Sequence, residues 1–537
     1  MSVAKLPDKI SFSESELEEV ASSVGVKVPQ EDLMAYRTLL SGLEDAVNTI
    51  IAEDDYVPEV DIERFPRTDI SYSKIDNQFN AWAYKVKIKS TKSKDLEGLL
   101  KGKILAIKDN VNIAGVPSLL GTDVIPQGAF VPSYDATAVT RILTAGASIV
   151  GKGACENFSM SPTSFTNAYG NVEHPLAKGY NAGGSSSGCA ALVAAGVVDM
   201  ALGGDQGGSI RVPASYVGIV GLKPTFGLVP YTGIASLAAN VDHTGPMTKN
   251  VMDNALFLQV IAGPDEYDDR QIGLPVPLPE YYTELLKYVA RPAEAVKNFR
   301  IGIIVEGFDM PGLDPRVIAK VKEAAHAFSK IDNSVTVSEI SIPMHAKAPA
   351  IWTVATRQGF SEHGLRGQNP VRFGVHDPAL AEALTHWNQS MFDKLAHWNP
   401  AGTNALMGGQ WIKDKHPGLT DKALNIARKL KDNYNEVFKS YDVLILPCAP
   451  TPPNYTCSSD DDILTKMSKA IGATINTMPF NISGHPAMSL PIALMEPKED
   501  ASLKLPIGMQ IVARSFDEMS IFKAAYAWEQ TFDWKKF

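Results

Sequence analysis

Two segments near the start of the chain carry apolar residues at helical spacing. The first, SESELEEVASSVG, begins at Ser13, and Glu16 follows three residues later, which is the capping-box pattern of a helix N-terminus. The second, EDLMAYRTLLSGLEDAVNTIIAE, has apolar positions three or four residues apart, at Leu33, Tyr36, Leu39, Leu40 and Leu43. The sequence therefore predicts a helical region over residues 1–70.

The apolar pattern changes after this region. The segment DDYVPEVDIERFPRTD contains two prolines and predicts an extended linker, with a short edge strand at VDIERF as the alternative. From Leu100 onward, β-rich runs such as KILAIKD, ASIVGKG and YDVLILP alternate with helical stretches such as DATAVTRILTAG. This alternation predicts an α/β fold with strands buried between helices. Residues 310–430 are more polar, are rich in His and Trp, and predict several helices.

Composition and charge argue against several classes of function. The 537 residues carry a formal net charge of -10, whereas nucleic-acid binding relies on basic surface. No apolar run approaches the ~20 residues that span a bilayer, and the charged N-terminus lacks the apolar region of a signal peptide. Four cysteines in so long a chain do not suggest a disulfide framework, and there is no CxxC or HxxxH pair to suggest a metal site. We therefore expect a cytoplasmic enzyme without a metal.

The most informative stretch covers residues 183–214, GGSSSGCAALVAAGVVDMALGGDQGGSIRVPA. Two loops rich in Gly and Ser flank an apolar run, which is broken by Asp199 and predicts a buried helix. Because glycine has no Cβ, such loops bring backbone N–H groups and serine hydroxyls close to a ligand. The pattern predicts a site for serine-based hydrolysis.

Two short motifs in this part of the chain suggest other functions, and each fits poorly. Gly146–Gly153, GASIVGKG, is close to the phosphate loop of nucleotide-binding proteins, but Gly153 stands where a hydroxyl residue would bind Mg²⁺, and a helical rather than a strand segment precedes it. Gly184–Gly188 matches the G-x-S-x-G nucleophile elbow with Ser186 as nucleophile, but AKGYNAGG before it shows no strand character. Nine of the ten histidines follow Ser186 in the chain, so a histidine base for this serine stays an open alternative. The favoured interpretation of the segment is a loop that caps the N-terminus of a helix.

A third interpretation places the nucleophile in the second loop, GGDQGGSIRVP. The backbone N–H groups of Gln206, Gly207 and Gly208 could turn inward as a nest that holds an oxyanion near Ser209. Asp205 and Arg211 flank this turn closely enough to pair and brace it.

This nucleophile needs a base, because a serine hydroxyl is weakly nucleophilic until its proton is removed. A lysine can serve when burial or a neighbouring cation lowers its pKa towards neutrality. Lys108 ends the apolar run KILAI, so we expect it at the end of a strand and partly desolvated; a solvated lysine is the alternative.

Taken together, these residues resemble the amidase-signature family. The signature matches from Gly183 through Ala214, and AIKDNVNIAG carries the lysine of the family. Later segments, HTGPMTKNVMDNALFLQVIAG, YDVLILPCAPTPP and NISGHPAMSLPIA, look like further family blocks. The N-terminal helices are similar to the extra helical domain of bacterial and fungal amidases. The resemblance implies a mixed central β-sheet covered by helices on both faces, with a small N-terminal helical domain.

The resemblance also implies the roles of individual residues. The catalytic triad would be Lys108, Ser185 and Ser209, since the relay serine of the family lies 24 positions before the nucleophile, and 209 − 185 = 24. A cis Gly184–Ser185 peptide bond is implied as well, with no metal or organic cofactor. Met160 would line the acyl pocket, an ordinary core position being the alternative, and Ser186 would have a supporting role.

We therefore expect an amidohydrolase that cleaves small carboxylic acid amides, and carbamates such as urethane, through an acyl-enzyme at Ser209. The alternative is the glutaminase component of a tRNA-dependent amidotransferase complex. The expected partners are a small-molecule amide or carbamate and a second copy of the chain, with no nucleic acid and no membrane. Residues 1–70 would contribute to the dimer, 71–537 would form the catalytic domain, and 310–430 would be a variable substrate-binding region.

Overall fold

The N-terminal helices form a unit of their own. In this computed structural model, which describes residues 6–72, 74, 76–368 and 374–537, the chain up to Val57 makes one compact unit and the chain from Pro58 makes the other. Helix α1 (Glu14–Ser23) begins at the predicted N-cap, where the Ser13 hydroxyl accepts from the backbone N–H of Glu16 and the Glu16 carboxylate accepts from that of Ser13. Helix α2 spans Leu33–Ala52. Both predicted helices are confirmed.

The predicted linker is confirmed over residues 54–66, whereas its last three residues, 67–69, belong to a strand. Residues 54–66 contain no helix or strand, so the alternative of an edge strand at VDIERF is wrong. An edge strand does form just beyond it, at Arg67–Ser71, where the chain pairs with its neighbour in an antiparallel ladder.

Within the described ranges, twelve strands form one mixed sheet. The strands are β1 (Arg67–Ser71), β2 (Trp82–Ile88), β3 (Ile104–Lys108), β4 (Ser148–Gly153), β7 (Met200–Gly204), β8 (Val220–Lys223), β9 (Thr244–Thr248), β10 (Arg300–Ile304), β11 (Thr336–Ile340), β12 (Val443–Pro447), β13 (Ala487–Met495) and β14 (Leu505–Val512). Their order across the sheet is β1-β2-β4-β3-β7-β9-β8-β13-β14-β12-β10-β11. The pairs β4–β3, β3–β7, β12–β10 and β10–β11 are parallel and the other pairs are antiparallel.

A separate two-stranded ribbon corrects one sequence prediction. Strands β5 (Glu173–His174) and β6 (Ala177–Asn181) pair with each other, so AKGYN is a strand although its sequence showed no strand character. The ribbon lies outside the central sheet. The strand before Ser186 is therefore not the sheet strand that a nucleophile elbow requires.

Helices flank the sheet, and the predicted α/β class is confirmed. The described helices of the second unit are α3 (Thr137–Thr144), α4 (Ser187–Ala195), α5 (Arg211–Val217), α6 (Val251–Ile261), α7 (Tyr281–Leu286), α8 (Pro315–Ile331), α9 (Ala348–Gly359), α10 (Pro378–Thr385), α11 (Gln389–Trp398), α12 (Pro400–Lys415), α13 (Leu419–Val437), α14 (Ile463–Ala470), α15 (Met478–Ile482) and α16 (Glu518–Thr531). None of the helices in the described ranges is long and apolar enough to cross a membrane.

Three parallel strands position the candidate site. Strands β4, β3 and β7 lie side by side and end at Gly153, Lys108 and Gly204. Because parallel strands present their carboxyl ends at one edge of a sheet, the loops that follow them meet there. The apolar run KILAI forms β3, and ASIVGKG forms β4 rather than a phosphate loop.

Candidate active site

Lys108 lies at the end of β3 as predicted, but it is fully buried rather than partly desolvated. Its Nζ is 2.9 Å from Ser185 Oγ and 3.5 Å from the carbonyl oxygen of Gly204, the last residue of the neighbouring β7. Burial lowers the pKa of the Lys108 amino group, because water no longer solvates the ammonium form. The structure therefore favours a neutral amine hydrogen-bonded to a serine hydroxyl.

Ser185 lies in the loop between β6 and α4, and its side chain is fully buried. The peptide bond between Gly184 and Ser185 is cis, as the family resemblance implied. A Cβ on Gly184 would lie 2.0 Å from the Thr163 carbonyl oxygen, so only glycine fits there. The adjacent Ser186 hydroxyl donates to the Gly204 carbonyl oxygen and accepts from the Gly204 N–H, which ties this loop to the end of β7.

Ser209 lies in the loop between β7 and α5, and 7% of its surface is exposed. Its carbonyl oxygen accepts from the Ser186 N–H at 3.2 Å, so the two serine loops are joined through their backbones. Among the described contacts, no hydrogen bond joins the Ser185 and Ser209 side chains. The structure thus brings the lysine and the first serine into contact and places the second serine on an adjoining loop.

The carbonyl groups of the second loop are all anchored. The Gln206 carbonyl accepts from the Trp352 indole at 2.9 Å and the Gly207 carbonyl from the Thr477 hydroxyl at 2.5 Å. The carbonyls of Gly208 and Ser209 accept from the N–H groups of Val212 and Ser186.

The N–H groups of this loop are left available. In the described part of the chain, no protein group accepts from the backbone N–H of residues 206–209. Gly208 has a φ of +145°, and a Cβ there would lie 2.3 Å from Thr477 Oγ1, so this conformation requires glycine. Such a loop can bind an anion through its backbone, as the predicted nest would.

Asp205 and Arg211 form a buried bidentate ion pair across this turn, with Nη2–Oδ1 at 2.9 Å and Nε–Oδ2 at 3.0 Å. The Arg211 guanidinium also donates to Asn481, Gln510 and the Thr477 carbonyl. Burial by itself would raise the pKa of Asp205, but the Arg211 charge outweighs it and holds this pKa well below its usual range. The pair therefore stays ionised, and it connects the loop to the C-terminal part of the sheet.

Sequence reasoning missed Glu156, which contacts both sides of the Ser185 loop. Its backbone N–H donates to the Ser185 carbonyl oxygen at 3.2 Å, and its carboxylate accepts from the Ser187 hydroxyl at 2.7 Å. The same carboxylate accepts from the N–H and hydroxyl of Thr166. Burial raises the pKa of Glu156 to about 7.

Trp352 and Thr477 were also missed, and no local sequence signal marks either residue. Each contacts the loop only because helices distant in the sequence pack beside it.

Met160 is half-buried in an apolar cluster that includes Leu237 and Phe360. Among the described residues, no three His, Cys, Asp or Glu side chains are grouped closely enough to hold a metal ion. The four cysteines are buried and form no disulfide.

Comparison with known proteins shows that the chain is similar to amidases and to a component of an amidotransferase. A family model described as Amidase matches residues 66–522. An enantioselective amidase of Rhodococcus rhodochrous is 36% identical over 448 residues, which cover 82% of this chain and 81% of that protein. The A component of the glutamyl-tRNA(Gln) amidotransferase of Exiguobacterium sibiricum is 34% identical, covering 80% and 84% of the two chains.

The solved structures agree with the sequence relatives. The native peptide amidase from Stenotrophomonas maltophilia superposes with a TM-score of 0.65 at 25% identity, covering 81% of this chain and 83% of that one. The family match spans most of the second unit, and the described fold accounts for the superposition. This chain belongs to the amidase-signature family and is an amidase, a hydrolase that acts on C–N amide bonds.

Proposed function

We propose that the protein hydrolyses small carboxylic acid amides to an acid and ammonia or an amine, through an acyl-enzyme formed on Ser209. The observation that carries this proposal is the buried hydrogen bond between Lys108 and Ser185, next to a loop whose N–H groups have no acceptor among the described residues. A neutral lysine can act as the general base, and the loop can hold the oxyanion.

In the proposed acylation step, Lys108 accepts a proton from Ser185, and Ser185 accepts one from Ser209. The Ser209 Oγ forms a bond to the amide carbonyl carbon, and the carbonyl oxygen becomes an oxyanion held by the N–H groups of residues 206–209. The C–N bond then breaks as Ser185 donates a proton to the leaving nitrogen and regains one from Lys108. The substrate would bring the two serine hydroxyls into contact, because no hydrogen bond joins them among the described contacts.

In the deacylation step, a water molecule replaces the departed amine. Lys108 and Ser185 take its proton as it attacks the acyl carbon, and Ser209 regains its proton as the acid leaves. Every proton moves between groups of this chain, the substrate and this water. The ion pair of Asp205 and Arg211 would hold the loop in shape throughout, and Ser186 would hold the two serine loops together.

The same mechanism would act on carbamates such as urethane, which present a similar carbonyl. The second candidate is the glutaminase component of a tRNA-dependent amidotransferase, which the similarity to the Exiguobacterium sibiricum protein supports. The net charge of -10 and the helices before residue 58 count against that candidate.

We propose Met160 as part of the acyl pocket wall and residues 310–430 as the variable substrate-binding region.

A substrate panel separates these candidates. The purified chain should release ammonia from acetamide or benzamide without any partner, because the described catalytic groups all come from one chain. Ammonia assays with acetamide, benzamide, urethane and glutamine measure this. Hydrolysis of glutamine alone, and only after a partner protein is added, would show that the amidotransferase candidate is correct.

Replacing Ser209 by alanine should abolish acylation and lower kcat by at least about 10⁴-fold, because no other group would attack the carbonyl. A sulfonyl fluoride probe should label the wild-type chain at Ser209, and peptide mass spectrometry would locate the label. The exposed Ser468→Ala variant is the matched control and should be labelled normally. Full amide turnover by Ser209→Ala would refute the mechanism.

Activity should also fall at low pH. The neutral Lys108 amine is the proposed base, and burial lowers its pKa, so kcat/KM should decrease as the pH drops through that lowered value. Lys108→Arg should be inactive across the measured range, because arginine stays protonated. The exposed Lys101→Arg variant is the control.

Buried Glu156 is a second group whose protonation would lower kcat/KM at low pH, the acid limb of the pH profile. Its pKa is raised to about 7, and its carboxylate accepts hydrogen bonds from Ser187 and Thr166. The Glu156→Gln variant cannot ionise at this position. If the limb arises from Lys108, it persists in Glu156→Gln; its disappearance there would assign it to Glu156 instead.

We further propose that the chain is a homodimer through α2. Four large apolar side chains are exposed on one face of this helix: Leu43, Val47, Ile50 and Ile51. An exposed apolar stripe of this kind is typical of an interaction surface. Ile50→Asp should shift sedimentation to the monomer, whereas Thr49→Asp, on another face, should leave the dimer intact. A monomeric wild type would rule out the dimer.

A further inference from the structure

Two buried amide side chains next to the nucleophile loop each have an oxygen without a partner. Asn110 is 3% exposed and Gln206 is 2% exposed. Among the described residues, no group donates to Asn110 Oδ1 or to Gln206 Oε1. A buried amide oxygen without a donor costs about 1–3 kcal/mol, so such atoms commonly await a ligand or water.

The two amide groups bind neighbouring oxygens, the Tyr231 hydroxyl and the Ala235 carbonyl. Gln206 Nε2 donates to the Tyr231 hydroxyl at 2.8 Å, and Asn110 Nδ2 donates to the Ala235 carbonyl oxygen at 3.4 Å. The Tyr231 hydroxyl in turn lies 3.4 Å from the Ala235 carbonyl oxygen. Both NH₂ groups therefore have an acceptor, which fixes the side chains and leaves the amide oxygens as the available atoms.

Asn110 and Tyr231 line a cavity of about 110 Å³. Its apolar wall includes Leu120, Phe158 and Leu237. An apolar cavity of roughly 150 Å³ holds a benzene ring, so this one suits a short acyl chain. Asn110 follows Lys108 by two residues, and Gln206, which hydrogen-bonds to the cavity-lining Tyr231, precedes Ser209 by three, so two short chain segments link the cavity to the proposed catalytic residues.

Two of the charged groups that line this cavity, Arg270 and Asp268, are paired with each other. Arg270 makes a bidentate ion pair with Asp268, and its guanidinium lies 4.7 Å from the centre of the Tyr231 ring. Burial holds the pKa of Tyr231 well above its usual range, so the phenol stays neutral. The Asp377 carboxylate, which also lines the cavity, accepts from Asn112 and Tyr134. The amide oxygens of Asn110 and Gln206 offer a neutral donor two uncharged acceptors.

We propose that the amide oxygens of Asn110 and Gln206 form an acceptor pair that recognises an uncharged N–H or O–H donor on a short substrate. This inference rests on the proposed function and adds a substrate class to it. The donor can come from two sources, the scissile primary amide itself or a hydroxyl on the acyl chain. In either case the side chains act by binding and positioning, and they take no part in proton transfer.

The test compares three small substrates. Propionamide has one more N–H donor at the scissile nitrogen than N-methylpropionamide. Lactamide has one more hydroxyl on the acyl chain than propionamide. Wild type should favour the donor-bearing member of at least one pair, by about tenfold in kcat/KM, as expected for one hydrogen bond to a buried acceptor. The pair that shows the preference identifies the source of the donor.

Asn110→Leu should bring that ratio close to one, because the acceptor is lost while the side-chain volume is kept. Each ratio is taken within one variant, so a general loss of activity cancels. Gln206→Met, which keeps the backbone of the loop, is the second variant should Asn110→Leu fail to fold. The matched control is Asn425→Leu, at an exposed position on α13, and it should keep the wild-type ratios.

Unchanged ratios in both cavity variants, or no preference in the wild type, would overturn the inference. Sulfonyl fluoride labelling of Ser209 distinguishes this result from a failure of the proposed function. A chain that is labelled at Ser209 but shows no donor preference retains the mechanism and loses only the acceptor pair. A chain that is neither labelled at Ser209 nor active on any of the three amides contradicts the proposed function itself.

Discussion

The burial of one amino group is the constraint on which the site depends. Lys108 can hold a neutral amine against Ser185 only because water is excluded from it, and that exclusion requires the strands on both sides of β3 and the loops that follow them. A solvated lysine would remain an ammonium ion, which has no lone pair with which to accept a proton. The central sheet therefore does more than support the loops, since it excludes the solvent that would keep the proposed base, Lys108, protonated.

The second loop divides its backbone groups by role. Its carbonyls are bound by Trp352, Thr477, Val212 and Ser186, and its N–H groups are left for a ligand. Fixing the carbonyls in advance orients the N–H groups before a substrate arrives, so little reorganisation is needed when charge develops. Arg211, which is paired with Asp205, also connects the loop to Asn481 and Gln510, about 270 and 300 positions further along the chain.

Local patterns were informative wherever a short segment decides its own structure. The cap at Ser13 and the strand KILAI are encoded by residues that lie next to each other, and the structure has both. The segment AKGYN misled, because its strand is stabilised by pairing with Glu173–His174 and not by apolar alternation. Glu156 was overlooked for a related reason: its importance lies in contacts with Ser185 and Ser187, about thirty residues later, which no local pattern records.

By itself, the sequence determined the α/β class, because short β-rich runs alternate with helical stretches. Lys108 and Ser209 were candidates from their neighbouring residues, and Ser185 was a candidate only through the resemblance to the amidase-signature family. The sequence could not determine whether water reaches Lys108, which atoms bind the loop carbonyls, or that Gln206 and Asn110 donate to the neighbouring oxygens of Tyr231 and Ala235. Those features depend on side chains brought together from strands and helices far apart in the chain. Desolvation and hydrogen-bond geometry are properties of packing, and only the tertiary structure decides them.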